Sequence, residues 1–241
     1  MNKNRIKEIF DKHFQSIGVS LKRKIIDKEE STFDIFYHSP LSDNDLISGS
    51  IFNTCNIRYG DFLEEIINEF LSENGVIISP EKKKGNYDLL FEYNNTLYVG
   101  EIKIRDNHDS TKKKGQIRNL IDKVSFQKQK NPDKKVIAII YFIDHFDKKN
   151  KNFYEDELRK CVRSNTFDGA NIFYGDEIFV EFNLQNKWEI IKKDVINFNK
   201  QAKELNYIKQ IIINYLNKVV EDEKEDYDQV LKIVKKLKSR D

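Results

Sequence analysis

Residues 87–104 read YDLLFEYNNTLYVGEIKI, and this stretch decides the fold. Two runs rich in aromatic and aliphatic residues, 87–93 and 96–104, flank the pair Asn94-Asn95. Such runs are typical of β-strands, and asparagine tolerates the positive φ angles that a tight turn requires. The sequence therefore predicts a β-hairpin here.

The segments on either side of the hairpin predict helices and further strands. Apolar residues at helical spacing favour helices over the first 30 residues, 43–56, 62–73, 111–130, 154–163 and from 195 to the end, with a break at 56–60. Strands are predicted at 76–79, 134–142, 172–174 and 177–182. The nearly continuous apolar run at 136–141 is typical of a strand that is buried on both faces. The predicted fold class is α/β, with a mixed central sheet flanked by helices and helical N- and C-terminal extensions.

The length and composition are those of one globular domain, or of one domain with an appendage. The chain has 241 residues, of which 39% are hydrophobic and 34% charged. No apolar run approaches the roughly 20 residues that a membrane helix needs, and we expect a cytoplasmic protein. Cys55 and Cys161 have no partner at metal-ligand spacing, so we interpret them as free thiols.

Positive charge is concentrated in one part of the chain. Between residues 81 and 135 there are 14 lysines and arginines against 8 acidic residues, although the net charge of the chain is only +2. A local basic segment indicates contact with a polyanion, whereas a lysine-rich solvated surface is the simpler alternative.

Asp88, Glu101 and Lys103 are the residues that suggest chemistry. Glu101 and Lys103 are two apart on the return strand and share one face, while Ile102 points to the opposite face. Pairing across the hairpin brings Asp88 near Glu101. Neighbouring carboxylates repel and attract a cation, and oxygen ligands favour Mg²⁺ or Mn²⁺. Alternating charge is also typical of any solvent-facing strand, so the pattern alone leaves both interpretations open.

A basic and polar segment follows the return strand directly. Residues 105–116 include three consecutive lysines, Lys112, Lys113 and Lys114, which can grip backbone phosphates. Gln116 and Arg118 carry groups that can reach base edges.

Together, Asp88, the triplet 101–103 and the segment 100–116 resemble the PD-(D/E)xK nuclease superfamily, and type II restriction endonucleases in particular. The resemblance covers about residues 57–143, which it implies are the catalytic core of a single nuclease domain, 1–241, with a C-terminal helical region at about 195–241. It implies that Asp88, Glu101 and the Ile102 carbonyl hold Mg²⁺ and that Lys103 positions the attacking water. It also implies a helix-borne acid, which we assign to Glu64 with Glu65 as the alternative. Tyr87 departs from the pattern, because a proline often precedes the first aspartate.

The resemblance implies cleavage of double-stranded DNA at a short specific site. It further implies a homodimer, because two strands are cut, and a companion DNA methyltransferase that protects the host. Two alternatives remain: a structure-selective or repair nuclease of the same superfamily, and a DNA-binding module without turnover.

Overall fold

The computed structural model describes residues 1–25, 43–79, 82, 87–107 and 109–222. These residues form seven helices: α1 (Lys3–Ile25), α2 (Asp43–Glu73), α3 (Ser110–Lys130), α4 (Lys151–Arg163), α5 (Glu177–Glu181), α6 (Gln185–Glu204) and α7 (Tyr207–Asp222). They also form five strands: β1 (Ile77–Ile78), β2 (Leu89–Tyr93), β3 (Thr96–Lys103), β4 (Lys135–Phe142) and β5 (Gly169–Tyr174). None of the helices described is long and apolar enough to cross a membrane.

The five strands form one mixed sheet in the order β1-β2-β3-β4-β5. The first three strands are antiparallel, and β3, β4 and β5 run parallel. Asn94 and Asn95 adopt φ angles of 48° and 59° and close the hairpin between β2 and β3. Gly100 of β3 lies so close to β4 that a Cβ atom there would be 2.9 Å from the Ile139 Cβ. The predicted hairpin, mixed sheet and α/β class are confirmed.

Both faces of the central strands are buried. On one face, Val99, Ala138 and Ile140 pack with Leu120 of α3 and Leu158 of α4. The opposite face is aromatic, with Phe91 stacked on Tyr98 at 5.0 Å, and with edge contacts to Phe182 and from Tyr141 to Phe179. Each large apolar side chain buried in this way stabilises the fold by about 1.5–3 kcal/mol before entropy is counted. This burial matches the prediction for residues 136–141.

The chain divides into two compact units. The first contains Met1 and residues 64–192, and so the whole sheet. The second contains residues 2–63 and 193–241, and its described part is helical. In the second unit Phe10 stacks on Phe14 at 3.9 Å and contacts the edge of Phe62 at 5.4 Å. The predicted helical stripe beyond residue 222 lies outside the described residues. Cys55 and Cys161 are both free, as predicted.

Two predictions of secondary structure are wrong. Helix α2 continues through residues 56–60, where we predicted a break, because one glycine inside a long helix costs only about 1 kcal/mol. Residues 177–181 are helix α5 and not a strand. In that segment Ile178, Phe179 and Phe182 are buried while Val180 is 52% exposed, which is the pattern of a helical face. A short apolar run does not distinguish the two structures by periodicity.

Candidate active site

The hairpin brings three of the predicted residues together. Leu89 pairs with Gly100, so the next positions along the two strands are Asp88 and Glu101. The Lys103 Nζ lies 3.0 Å from Asp88 Oδ2 and 2.9 Å from Glu101 Oε2. An ammonium group therefore lies between the two carboxylates, at the end of β3.

The backbone of β3 fixes the Asp88 carboxylate. The Ile102 N–H donates a hydrogen bond of 2.9 Å to Asp88 Oδ2. Burial alone would raise the pKa of Asp88, but the Lys103 ammonium and the Ile102 N–H outweigh burial and hold this pKa below its usual value. Asp88 is consequently ionised at neutral pH and available to a cation.

Lys103 is a cation at neutral pH for the complementary reason. Burial would lower the pKa of its ammonium, but Asp88 and Glu101 outweigh burial and raise this pKa above its ordinary value. A protonated lysine donates hydrogen bonds and stabilises negative charge, and it does not abstract a proton. The geometry thus favours positioning and charge stabilisation as the work of this side chain.

A second lysine completes the cluster, and sequence reasoning missed it. Lys123 of α3 places its Nζ 2.5 Å from Glu101 Oε1, so each oxygen of Glu101 faces a different lysine. Glu101 is only 8% exposed, and a buried carboxylate is stable only when it is paired. The contact joins residues 22 positions apart and depends on how α3 packs on the sheet, so spacing in the sequence carries no signal for it.

Tyr87, at the position where the family often has proline, ties the hairpin to α3. Its hydroxyl accepts a hydrogen bond of 3.0 Å from Gln127 Nε2. Its ring lies 5.7 Å from the Lys123 Nζ, within the range of a cation–π contact. Tyr87 therefore supports the same helix that brings Lys123 to Glu101.

Glu64 of α2 lies near the start of β2 but outside the Asp88–Glu101 cluster. The Glu64 Oε1 is 2.6 Å from the Lys82 Nζ. One turn further along, Asn68 Nδ2 donates to the Asp88 carbonyl at 3.1 Å, which ties this part of α2 to the hairpin. Glu65 is half-buried. Within the described ranges, no three Asp, Glu, His or Cys side chains are close enough to hold a metal ion together.

The Asp88–Glu101 cluster nevertheless has the donor chemistry of a magnesium site. Two carboxylates already share one cationic group, the Lys103 ammonium. Magnesium is typically held by one or two carboxylates while it keeps several waters. Both N–H and C=O of one residue in a strand point towards the same neighbour, so the Ile102 carbonyl faces the side of Asp88. These residues fit a hard divalent cation.

The three consecutive lysines, 112–114, lie on the first turn of α3, and Gln116 and Arg118 follow on the next turn. Asp109 caps this helix by accepting hydrogen bonds from the backbone of Thr111 and Lys112. Lys112, Lys114 and Arg118 are exposed. Two further predicted DNA contacts are engaged with α4 or the residue before it: Lys113 Nζ donates to Asn150 Oδ1 at 3.1 Å, and Gln116 Oε1 accepts from the Tyr154 hydroxyl at 3.0 Å.

On the nuclease activity that the resemblance implies, we expect Lys123→Met to slow cleavage by roughly ten- to a hundredfold, because removal of one aligned donor from an active site costs about this much or more. The physical reason is that Glu101 Oε1 loses its partner and the carboxylate can rotate away from Asp88. Single-turnover cleavage rates, together with Mn²⁺ binding without DNA, measure the effect. Lys128→Met is the matched control, since Lys128 of the same helix pairs with Asp168 at 2.8 Å. Equal rates for the two variants would contradict this role.

The comparisons with known proteins agree with the geometry. A family model described as "Type II restriction endonuclease, HinfI" matches residues 78–199. The matched segment contains Asp88, Glu101, Lys103 and Lys123, whereas Glu64 lies outside it. None of the curated proteins matches the chain.

Proposed function

The chain belongs to the HinfI family of type II restriction endonucleases, and on this premise we propose that it hydrolyses phosphodiester bonds of double-stranded DNA at a short specific sequence with Mg²⁺. The observation that carries the proposal is the Lys103 ammonium held between Asp88 and Glu101 at 3.0 and 2.9 Å. An adjacent pair of carboxylates with a protonated lysine supplies the groups that metal-assisted phosphodiester hydrolysis needs.

Each residue of the cluster has a proposed role. Asp88, Glu101 and the Ile102 carbonyl would hold Mg²⁺, with Glu64 as a further ligand if it exchanges its ion pair with Lys82. When bound, Mg²⁺ supplies a water of lowered pKa and neutralises charge on the phosphate. Lys103 orients the attacking water and stabilises the additional negative charge that develops on the phosphate oxygens. Lys123 keeps Glu101 in place through Oε1.

The exposed cations of α3 are proposed to contact the DNA. Lys112 and Lys114 would bind backbone phosphates, and Arg118 would reach a phosphate or a base edge. Lys113 and Gln116 join them in this proposal, provided that DNA replaces their present partners Asn150 and Tyr154. We also propose a homodimer, which places one active site on each strand, and a cognate DNA methyltransferase as the protective partner.

The function is tested by incubation of the protein with unmodified plasmid and phage DNA, in Mg²⁺ and in EDTA. We expect discrete fragments in Mg²⁺ and intact DNA in EDTA, and the mapped fragment ends then give the recognition sequence. A smear of fragments would support phosphodiester hydrolysis but contradict cleavage at a specific sequence. Selective cutting of a four-way junction would identify a structure-selective nuclease. Binding without cleavage of several DNAs would overturn the proposal in favour of a DNA-binding module.

A further inference from the structure

Phe146 is the most exposed large apolar side chain among the residues described, at 84% of its full surface. It lies in the loop 143–150 between β4 and α4. A side chain so exposed adds almost nothing to the core, so its presentation to solvent is not explained by the stability of the fold. The loop that carries it is, by contrast, firmly held.

The loop lies beside the catalytic strand. Lys103 pairs with Phe142, and the next two residues of this chain segment continue the pairing: Ile143 N donates to the Lys103 carbonyl at 2.9 Å and Asp144 N to the Ile104 carbonyl at 2.8 Å. Phe146 is three residues beyond Ile143, a chain reach of at most about 11 Å. This reach is comparable with the width of a major groove, about 12 Å, so a duplex with its phosphate at Lys103 can bring its bases to Phe146.

Several contacts make the loop rigid. Asp144 Oδ1 accepts from Phe146 N at 2.9 Å, and Asp147 Oδ1 accepts from Lys149 N at 3.2 Å, so two tight turns follow one another. The His145 ring lies 3.9 Å from the Phe146 ring. His145 itself packs tightly against Gly175, where an added Cβ would come within 2.8 Å of the His145 Cβ. The backbone that carries the Phe146 ring is therefore held in place beside His145.

We propose that Phe146 contacts the bases of the duplex that is bound at the Asp88–Glu101–Lys103 site. This inference rests on the proposed function, because it takes the cleavable DNA as the partner. Lys149 and Lys112 are exposed on the segments that follow β4 and β3 and can meet backbone phosphates, whereas the exposed Arg105 pairs with Asp144 of the loop at 3.4 Å. A phenyl ring forms neither a hydrogen bond nor an ion pair with a phosphate, but it packs against base faces and thymine methyl groups. Apolar side chains inserted between base steps are common in proteins that bind DNA. Phe146 is thus a residue of recognition, and Lys149 a contact to the backbone.

The test compares Phe146→Ala with Phe146→Trp on a duplex that contains the mapped cleavage site. We expect Phe146→Ala to weaken binding and raise KM by about tenfold or more, as the loss of one base–aromatic contact does, with kcat changed less than about twofold. The slope of log affinity against log salt stays unchanged in this variant, because no ion is released at Phe146, whereas Lys149→Gln lowers the slope by about 0.9. Phe146→Trp keeps an aromatic ring at this position and is expected to bind the duplex with close to wild-type affinity.

The fluorescence of 2-aminopurine placed at successive positions of the site reports the base contact directly. We expect it to respond to the wild-type protein at one or two positions and not to Phe146→Ala. Phe52→Ala is the matched control, since Phe52 is 65% exposed and lies in the second unit, and it should leave affinity unchanged. Both variants should melt within about 2 °C of the wild type, because both rings are largely exposed.

The outcomes separate the two proposals. If the wild type cleaves DNA while Phe146→Ala keeps its affinity and KM, the inference is overturned and the proposed function stands. A change in oligomeric state with DNA affinity retained would likewise overturn it and assign Phe146 to a protein interface. If the wild type neither binds nor cleaves DNA, the proposed function fails and takes the inference with it.

Discussion

Lys103→Ala is expected to lower the rate of DNA cleavage roughly a thousandfold, within the range found when one acid–base or charge-stabilising group is removed. The ammonium contacts both Asp88 and Glu101, at 3.0 and 2.9 Å. Without it, the site would lose the group that is proposed to orient the attacking water and to add to the stabilisation of charge on the phosphate. The measurement is the single-turnover rate on supercoiled plasmid at saturating protein, with duplex binding in EDTA measured in parallel. Binding should change only a few fold.

The control for this variant has to separate chemistry from folding, since Lys103 is also the partner of the buried Glu101 and the half-buried Asp88. Lys134→Ala is suitable, because Lys134 forms an ion pair with Glu92 near the turn of the same hairpin. It should cleave at close to the wild-type rate. Lys103→Arg should recover little activity, because a planar guanidinium does not reproduce the geometry of a compact ammonium. If Lys103→Ala keeps more than about a tenth of the wild-type rate, the assigned role of Lys103 is wrong.

The hairpin and the cluster on it could be predicted because the signals are local. The pair Asn94-Asn95 specifies the turn, and once the turn is known the strand register places Asp88 opposite Glu101. The alternation of side chains along a strand then puts Lys103 on the same face as Glu101. None of these steps requires knowledge of residues more than about 20 positions away.

Lys123 could not be predicted by the same reasoning. It reaches Glu101 only because α3 crosses the sheet above β3 and buries Leu120 and Val124 beside it. The direction of a lysine on an amphipathic helix does not follow from its spacing to a strand residue. Tyr87 shows the same limitation, since its bond to Gln127 spans 40 residues. Charged residues that act through tertiary packing are visible only in the folded chain.

Asp106 lies between β3 and α3, just beyond the strand that carries Glu101 and Lys103. Its side chain is 0% exposed and is therefore not available to DNA. Its carboxylate accepts three hydrogen bonds: from Asn150 N at 2.8 Å, from Asn150 Nδ2 at 2.9 Å and from the Tyr174 hydroxyl at 3.0 Å. Burial, followed by this bond to Asp106, raises the pKa of Tyr174, so the tyrosine remains a donor throughout the neutral range.

Asp106→Ala is therefore expected to destabilise the protein by about 3–5 kcal/mol, because three buried donors lose their acceptor and each unsatisfied group costs about 1–3 kcal/mol. Urea unfolding of the purified variants measures the loss. Asp109→Ala is the matched control: the two acids are three residues apart, but Asp109 is an exposed helix cap that accepts from Thr111 and Lys112, and its loss should cost only about 1 kcal/mol. Equal losses for the two variants would show that Asp106 is not an anchor. A much larger loss for Asp106 would establish that its buried carboxylate anchors the chain segment beside Lys103. The same carboxylate fixes Asn150, whose Oδ1 accepts a hydrogen bond from the Lys113 ammonium.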